Sequence, residues 1–185
     1  MLLGTKDEYL KFIEAVKDKS YSYQVLQILY WRGLRAGELL ALTSQDIDFD
    51  NKDIRITKSY QRLEEKDVIT DQKIPKSKRN IGMKDFLCEE LKAYIGRLYG
   101  LLPTDHIFHL TKSFLHHEMA RGTGKAGVKR IRTHDLRHSH VLSLIKIGFS
   151  AVLIGNRVGH ESVDIMFRYA HMFLTEILHE NRMCG

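Results

Sequence analysis

The stretch THDLRHSHVLSLIKIG, residues 133–148, predicts both a helix and a candidate site. Thr133 is suited to cap a helix that runs to Lys146, and the glycine at the end of the stretch closes it. Because residues three apart share a helix face, His134 and Arg137 point the same way. Imidazole exchanges protons near neutral pH, and guanidinium matches the geometry of phosphate oxygens. The pair predicts phosphate binding with proton transfer, and a surface salt-bridge pair is the alternative.

A second candidate lies upstream in GLRAGEL, residues 33–39. Arg35 follows a strongly apolar segment that predicts a buried helix from near Ser22 to Gly33. An arginine at the end of a buried helix is costly unless it is paired or functional. Glu38 follows three residues later and is suited to hold it. A purely structural Arg35–Glu38 ion pair is the alternative to a functional role.

Two further candidates lie downstream, His160 in VGH and Tyr169 in FRYAH. A tyrosine hydroxyl is a weak nucleophile at its ordinary pKa of about 10. Neighbouring cations and a positioned base would activate it. The alternatives are a packing aromatic for Tyr169 and a cap or core histidine for His160.

The hydrophobic pattern predicts an α+β fold that is mainly helical, with a small antiparallel sheet inserted among the helices. Helices are predicted at residues 5–18, 22–33, 38–42, 84–99, 113–121, 133–146, 150–158, 162–169 and 173–182. Alternation on either side of residues 50–53 predicts a hairpin, and residues 68–73 and 78–83 predict two strands joined by a turn. Gly122, Gly124 and Gly127 predict a connection between helices. No repeat or linker is visible, so residues 1–185 are predicted to form one domain.

The net charge of +6 favours an anionic partner. Two basic clusters carry much of it, one around residues 73–84 and one around residues 121–137. Two solvated faces are the alternative to a binding surface. From the clusters we predict DNA contacts at Lys76, Lys78, Arg79, Lys129, Arg130 and Arg132.

Cysteine usage and hydropathy indicate the compartment. Cys88 and Cys184 show no paired spacing, which predicts a reducing compartment without disulfides. No secretory signal and no long apolar run are visible, so we expect a cytoplasmic protein without a membrane partner.

The ordered set of Arg35, His134, Arg137, His160 and Tyr169 resembles the tyrosine recombinases, also called the phage integrase family. The nine-residue gap between His160 and Tyr169 matches as well. Each motif alone is modest, but the ordered set is specific, and the resemblance covers residues 5–171. It implies the fold of a tyrosine-recombinase catalytic domain, with Tyr169 as the nucleophile.

The resemblance also implies two supporting residues. The family uses a lysine on a β-hairpin, and alignment of Arg79 with the second strand places Lys73 there, with Lys76 as the second choice. The local sequence departs from the commoner Pro-Lys-Thr pattern. Glu38 lies where the family often has an acidic residue that supports the histidine–arginine pair.

In the mechanism that the resemblance implies, the tyrosine attacks a DNA phosphate, a 3′-phosphotyrosyl bond forms and a 5′-hydroxyl leaves. Arg35 and Arg137 stabilise the charge that gathers on the phosphate oxygens. Lys73 protonates the leaving oxygen, and His134 assists proton transfer from the tyrosine. His160 donates to a phosphate oxygen. The covalent bond conserves the energy of the phosphodiester, so no metal or other cofactor is expected.

The resemblance further implies double-stranded DNA as partner and a homo-tetramer on that DNA. The amphipathic C-terminal segment 173–182 would dock on a neighbouring protomer, and packing on its own domain is the alternative. We expect the core-binding and arm-binding domains of such proteins to lie outside this chain, which would make its DNA binding weak. The contexts GLRAGELLAL and RTHDLRHSH favour an integrase of a mobile element or phage.

Three other classes remain as alternatives. A metal-dependent hydrolase would use His134 and His138, whose spacing suits two ligands, with a third from among His106, His109, His116 and His117. A non-catalytic DNA-binding module would explain the charge without the ordered motif set. A type IB topoisomerase-like enzyme would share the tyrosine chemistry.

Overall fold

The computed structural model describes residues 6–64, 66–71 and 78–159 of the chain. Within them the chain forms seven α-helices, one 3₁₀ turn and five strands, which confirms the mainly helical α+β class. No helix in these ranges is long and apolar enough to cross a membrane. Outside them lie the predictions for Lys73, Lys76, His160, Tyr169, the turn at 74–77 and the helices 162–169 and 173–182.

The helices follow the predicted order. They are α1 (Lys6–Ala15), α2 (Ser20–Arg32), α3 (Ala36–Leu40), α4 (Asp85–Ile95), α5 (Lys112–Ala126), α6 (Thr133–Lys146) and α7 (Ala151–Val158). Helix α2 is central because it packs against both α4 and α6, and Val25, Leu26 and Ile28 on it are fully buried. It ends at Gly33, whose φ of 65° lets the chain turn at once into α3.

Helices α3 and α6 begin with the same arrangement, an arginine followed three positions later by a carboxylate. The backbone N–H of Arg35 donates to Oε2 of Glu38 at 2.9 Å, and that of Arg132 donates to Oδ2 of Asp135 at 2.8 Å. Each carboxylate therefore satisfies an N–H that the helix leaves open. The prediction that Thr133 caps α6 is wrong, because Thr133 is the first helical residue and Asp135 supplies the cap.

The strands form two small sheets where the sequence predicted one. Strands β1 (Ile47–Asp48), β2 (Asp53–Ile56) and β5 (Arg79–Gly82) form the first, and β3 (Lys58–Leu63) with β4 (Lys66–Asp71) forms the second. The strands predicted at residues 68–73 and 78–83 correspond to β4 and β5, but they lie in different sheets, since β4 pairs with β3 and β5 pairs with β2. Strand β3 was not predicted. Only Tyr60 on it is buried, so its sequence lacks the alternation of apolar and polar residues that indicates a strand.

Helix α5 continues through two glycines that were predicted to form a connection. It reaches Ala126, and only Gly127, with a φ of 64°, lies at its end. Gly122 is required by close packing, because a Cβ there would lie 2.4 Å from Cγ1 of Val16 and 2.7 Å from Cε2 of Phe12. The contact between α1 and α5 thus depends on the absence of a side chain at this position.

We expect Gly122→Ala to destabilise the domain by about 1–3 kcal/mol, because the new methyl group overlaps the side chain of Val16. Gly124→Ala on the same helix is the matched control, since a Cβ there meets nothing within 4 Å. That variant should gain up to about 1 kcal/mol from helix propensity. Urea unfolding measures both, and equal effects at the two positions would contradict the packing account.

Candidate active site

A surface cleft of about 430 Å³ lies where the α2–α3 turn, strand β3 and the first residues of α5 and α6 meet. Helix α3 packs against β3, and a Cβ on Gly37 would lie 2.6 Å from Oγ of Ser59. The cleft brings together two of the predicted site residues, Arg35 and His134. It also exposes cations that the sequence did not single out as site residues, Arg62 and Lys112.

Arg35 stands at the start of α3 with part of its side chain in solvent. Its guanidinium contacts Oε1 of Glu38 at 2.8 Å and the carbonyl oxygen of Gly159 at 2.9 Å. The side chain remains 40% exposed, so the guanidinium is fixed in direction while one part faces solvent. This is the geometry expected of an arginine that receives an anion.

Glu38 lies beneath Arg35, and its side chain is fully buried. Arg79 contacts it from the other side, with NH2 2.9 Å from Oε2 and NH1 3.1 Å from Oε1. Burial would raise the pKa of this carboxyl, but the hydrogen bonds and charge of Arg79, together with Arg35, outweigh burial and lower it. Glu38 is therefore an anionic link between Arg35 and Arg79, and its predicted support of the histidine–arginine pair stays a prediction.

Arg137 is only 1% exposed and is not among the residues that line the cleft. Its NH1 donates to the carbonyl oxygen of Gly33 at 2.6 Å, and its NH2 donates to that of Val158. The residue thus joins the turn before Arg35 to the end of α7. Arg35 donates to the carbonyl oxygen of Gly159 and Arg137 donates to that of Val158, so both arginines hydrogen-bond to the two residues that directly precede His160 in the chain.

His134 is exposed at the cleft, one turn from Arg137 on α6. Desolvation of its ring and the charge of Arg137 lower its pKa, which favours the neutral imidazole at pH 7. The ring of His138 meets it edge-on at 4.4 Å between centroids. Burial, and then the charge of His134, lower the pKa of His138 to about 4.

The predicted DNA contacts differ in their surroundings. Lys78, Lys129, Arg130 and Arg132 are exposed, and Arg132 also pairs with Asp135 at 3.1 Å. Arg79 is different, because its side chain is 7% exposed and its guanidinium is engaged by Glu38. Its position favours a supporting role over a direct contact with DNA.

Sequence reasoning missed the backbone part of the site. The carbonyl oxygens of Gly33, Val158 and Gly159 hold Arg35 and Arg137, and no side-chain pattern marks them. No local pattern marks the role of Arg79 either, because it lies 41 positions from Glu38 in sequence. Among residues 6–64, 66–71 and 78–159, no group of three or more histidine, cysteine, aspartate or glutamate side chains is placed to hold a metal ion.

The fold matches solved structures of DNA-acting integrases. The Tn1549 transposon integrase, solved in complex with circular intermediate DNA, has a TM-score of 0.81 and 21% identity to this chain. The match covers 89% of this chain and 61% of that one, and at this identity it shows the fold alone.

The family assignment follows from the sequence comparison. The chain belongs to the phage integrase family, whose model matches residues 4–176. The ICEBs1 integrase of Bacillus subtilis is 29% identical over 182 residues, which cover 90% of this chain and 50% of that protein. The tyrosine recombinase XerA of Saccharolobus solfataricus is 26% identical over 157 residues, covering 84% and 47%. The chain spans about half the length of the curated relatives it matches.

Proposed function

We propose that this chain is the catalytic domain of a site-specific DNA recombinase, the integrase of a mobile element or phage. It cleaves and rejoins DNA strands through a 3′-phosphotyrosyl intermediate, with Tyr169 as the nucleophile. One observation carries the proposal. Arg35 and Arg137, which lie about a hundred residues apart in sequence, donate hydrogen bonds to the adjacent carbonyls of Gly159 and Val158, and Arg35 lines the same cleft as His134.

The phosphate-binding step follows from the two arginines. Arg35 presents a fixed, partly exposed guanidinium, so it binds the non-bridging oxygens as the pentacovalent transition state gathers negative charge. Arg137 is buried, so in this proposal it acts through its charge and by fixing the turns before Arg35 and before His160. His160 directly follows the carbonyls that the arginines hold, and in this proposal it donates to the same phosphate.

Proton transfer completes the reaction. His134, kept neutral by its lowered pKa, accepts the proton of the Tyr169 hydroxyl as the oxygen attacks phosphorus. Lys73 gives a proton to the departing 5′-oxygen. The 5′-hydroxyl of a partner strand then attacks the phosphotyrosine, which releases Tyr169 and restores a phosphodiester.

The partners belong to the same proposal. The Tn1549 integrase was solved with DNA, and XerH was solved bound to its difH substrate, which supports duplex DNA as the substrate here. Four copies would assemble on two duplexes in the cytoplasm, with the segment 173–182 of each copy contacting a neighbour. The names of the relatives, integrase and tyrosine recombinase, favour this function over a topoisomerase or a non-catalytic DNA-binding module.

Strand exchange between two duplexes tests the proposal. We would incubate the chain in chelator with two attachment-site duplexes of different length, at micromolar protein and low salt to favour phosphate contacts. The expected result is a recombinant duplex joined at one position in both strands. Relaxation of supercoiled plasmid without any recombinant product would instead indicate topoisomerase activity.

The pH dependence of cleavage tests the role of His134. Because the pKa of His134 lies below its ordinary value of 6.5, the rate at saturating DNA should hold at pH 7 and fall only at a lower pH, where the imidazole takes a proton. His134→Gln should slow cleavage by about 10²–10⁴-fold and abolish that acid limb. Single-turnover rates between pH 5 and pH 8 give the profile, and an acid limb that survives in the variant would assign it to another group.

A further inference from the structure

We propose that Arg79 is a positioning residue, which sets the orientation of Arg35 through Glu38 and holds the turn before His160 through the carbonyl of Arg157. The inference rests on the proposed function, because it concerns how the phosphate-binding arginine is held. It replaces the predicted DNA contact at Arg79 with an indirect role in cleavage.

The first part of the role follows from the geometry around Glu38. Arg79 contacts both carboxylate oxygens, at 2.9 and 3.1 Å, which fixes the plane of the carboxylate. One of those oxygens, Oε1, also contacts NH1 of Arg35 at 2.8 Å. The Glu38 carboxylate therefore sets the direction of the Arg35 guanidinium, and Arg79 in turn sets the orientation of the carboxylate.

The second part concerns the turn after α7. The Nε–H of Arg79 donates to the carbonyl oxygen of Arg157 at 2.9 Å. A Cβ on Gly159 would lie 2.8 Å from NH1 of Arg79, so the guanidinium packs directly against this turn. Arg79 hydrogen-bonds to the carbonyl of residue 157, and Arg35 hydrogen-bonds to the carbonyl of residue 159. Both ends of the turn are therefore bound to arginines that share the carboxylate of Glu38.

Burial distinguishes this role from a DNA contact. The side chain of Arg79 is 7% exposed, against 40% for Arg35, and its neighbour Lys78 is exposed. A direct phosphate contact would require Arg79 to leave a fully buried carboxylate without the cation that it supplies, which is strongly unfavourable. Holding the carboxylate in place needs no such change.

The test uses Arg79→Lys, which keeps the charge but loses the planar fork of donors. We would measure the single-turnover rate of covalent adduct formation at saturating DNA, the Kd for DNA and its dependence on salt. We expect the rate to fall about tenfold or more, as misorientation of a catalytic group predicts. The Kd and the salt slope should stay unchanged, because no phosphate contact is lost.

A double variant tests whether Arg79 acts through Arg35. In an Arg35→Lys background, the further change Arg79→Lys should lower the rate by less than about twofold, since coupled residues are non-additive. If the rate loss of the double variant equalled the product of the losses of the two single variants, the two residues would act independently and the inference would be overturned. A salt slope reduced by about 1 with an unchanged saturating rate, the signature of a direct phosphate contact, would overturn it as well.

Two more variants keep the result interpretable. Arg55→Lys makes the same replacement at an exposed position on the neighbouring strand β2 and should change neither rate nor stability. If Arg79→Lys does not fold, a double variant that carries both Arg79→Gln and Glu38→Gln replaces it, because the two amides can hydrogen-bond in the buried space without either charge. We expect this double variant to cleave slowly as well, with an unchanged Kd for DNA. Absence of adduct with the unmodified chain would remove the proposed function itself. If the unmodified chain and Arg79→Lys formed the adduct at the same rate, only the role of Arg79 would be contradicted.

Discussion

Arg137→Lys is expected to lower the rate of DNA cleavage by about 10²-fold, the cost of a small misplacement of the groups that the residue positions. Arg137 donates to the carbonyl oxygens of Gly33 and Val158, and the single nitrogen of a lysine cannot reach both of them at once. The turns before Arg35 and before His160 would lose their common link. We also expect a loss of about 1.5–3 kcal/mol in the free energy of unfolding, because a charged donor is removed from a buried acceptor.

Single-turnover cleavage and urea unfolding separate the two effects of Arg137→Lys. Arg97→Lys is the control, since Arg97 is exposed and lies after α4, outside the cleft lining. Surface replacements of that kind stay within about 0.5 kcal/mol of wild type. If Arg137→Lys cleaved within twofold of the unmodified chain, the fork of Arg137 would have no part in the site.

Glu38→Ala should produce the largest loss of stability, about 3–5 kcal/mol in the free energy of unfolding. The variant leaves Arg79, whose side chain is 7% exposed, without its carboxylate partner, and Arg35 loses two hydrogen-bond acceptors. Glu14→Ala is the matched control, because the Glu14–Lys17 ion pair is exposed and such pairs contribute less than about 1 kcal/mol. Similar losses for the two variants would contradict the assignment of Glu38 as the anionic link.

The pH dependence of stability gives a second test of Glu38. The pKa of this carboxyl is lower in the folded chain than its ordinary value of 4.5, so the unfolded chain binds its proton more readily. The stabilisation is therefore complete above about pH 4.5 and is lost as the pH falls through the folded pKa. Against Glu38→Gln, the wild-type advantage should shrink on acidification, and a constant difference would argue against a lowered pKa.

The helical part of the fold was predictable because its patterns are local. The apolar run of α2 and the glycine that follows it indicate where the helix ends. Helix α7 lies within the predicted range 150–158, and Ser150 caps it by accepting from the N–H of Leu153. Sheet pairing was not predictable in the same way. Strand β3 is largely exposed and has no apolar alternation, so the sequence predicted neither this strand nor the second sheet that it forms with β4.

The site shows the same division between local and long-range information. His134 and Arg137 share a helix turn, so their proximity follows from spacing alone. The contacts from Arg35 to Gly159 and from Arg79 to Glu38 join residues 124 and 41 positions apart, which only the tertiary fold brings together. The sequence thus predicted candidate side chains for the chemistry, and the fold shows which backbone groups hold two of them, Arg35 and Arg137.

Trapping of the covalent intermediate tests the central claim most directly. We would incubate the chain, and separately Tyr169→Phe, with nicked suicide duplexes from the ends of its encoding element, in excess chelator. The account predicts an SDS-resistant protein–DNA adduct with the unmodified chain that is lost in Tyr169→Phe. An adduct that persists in Tyr169→Phe, or one that forms only when a divalent metal is supplied, would contradict it.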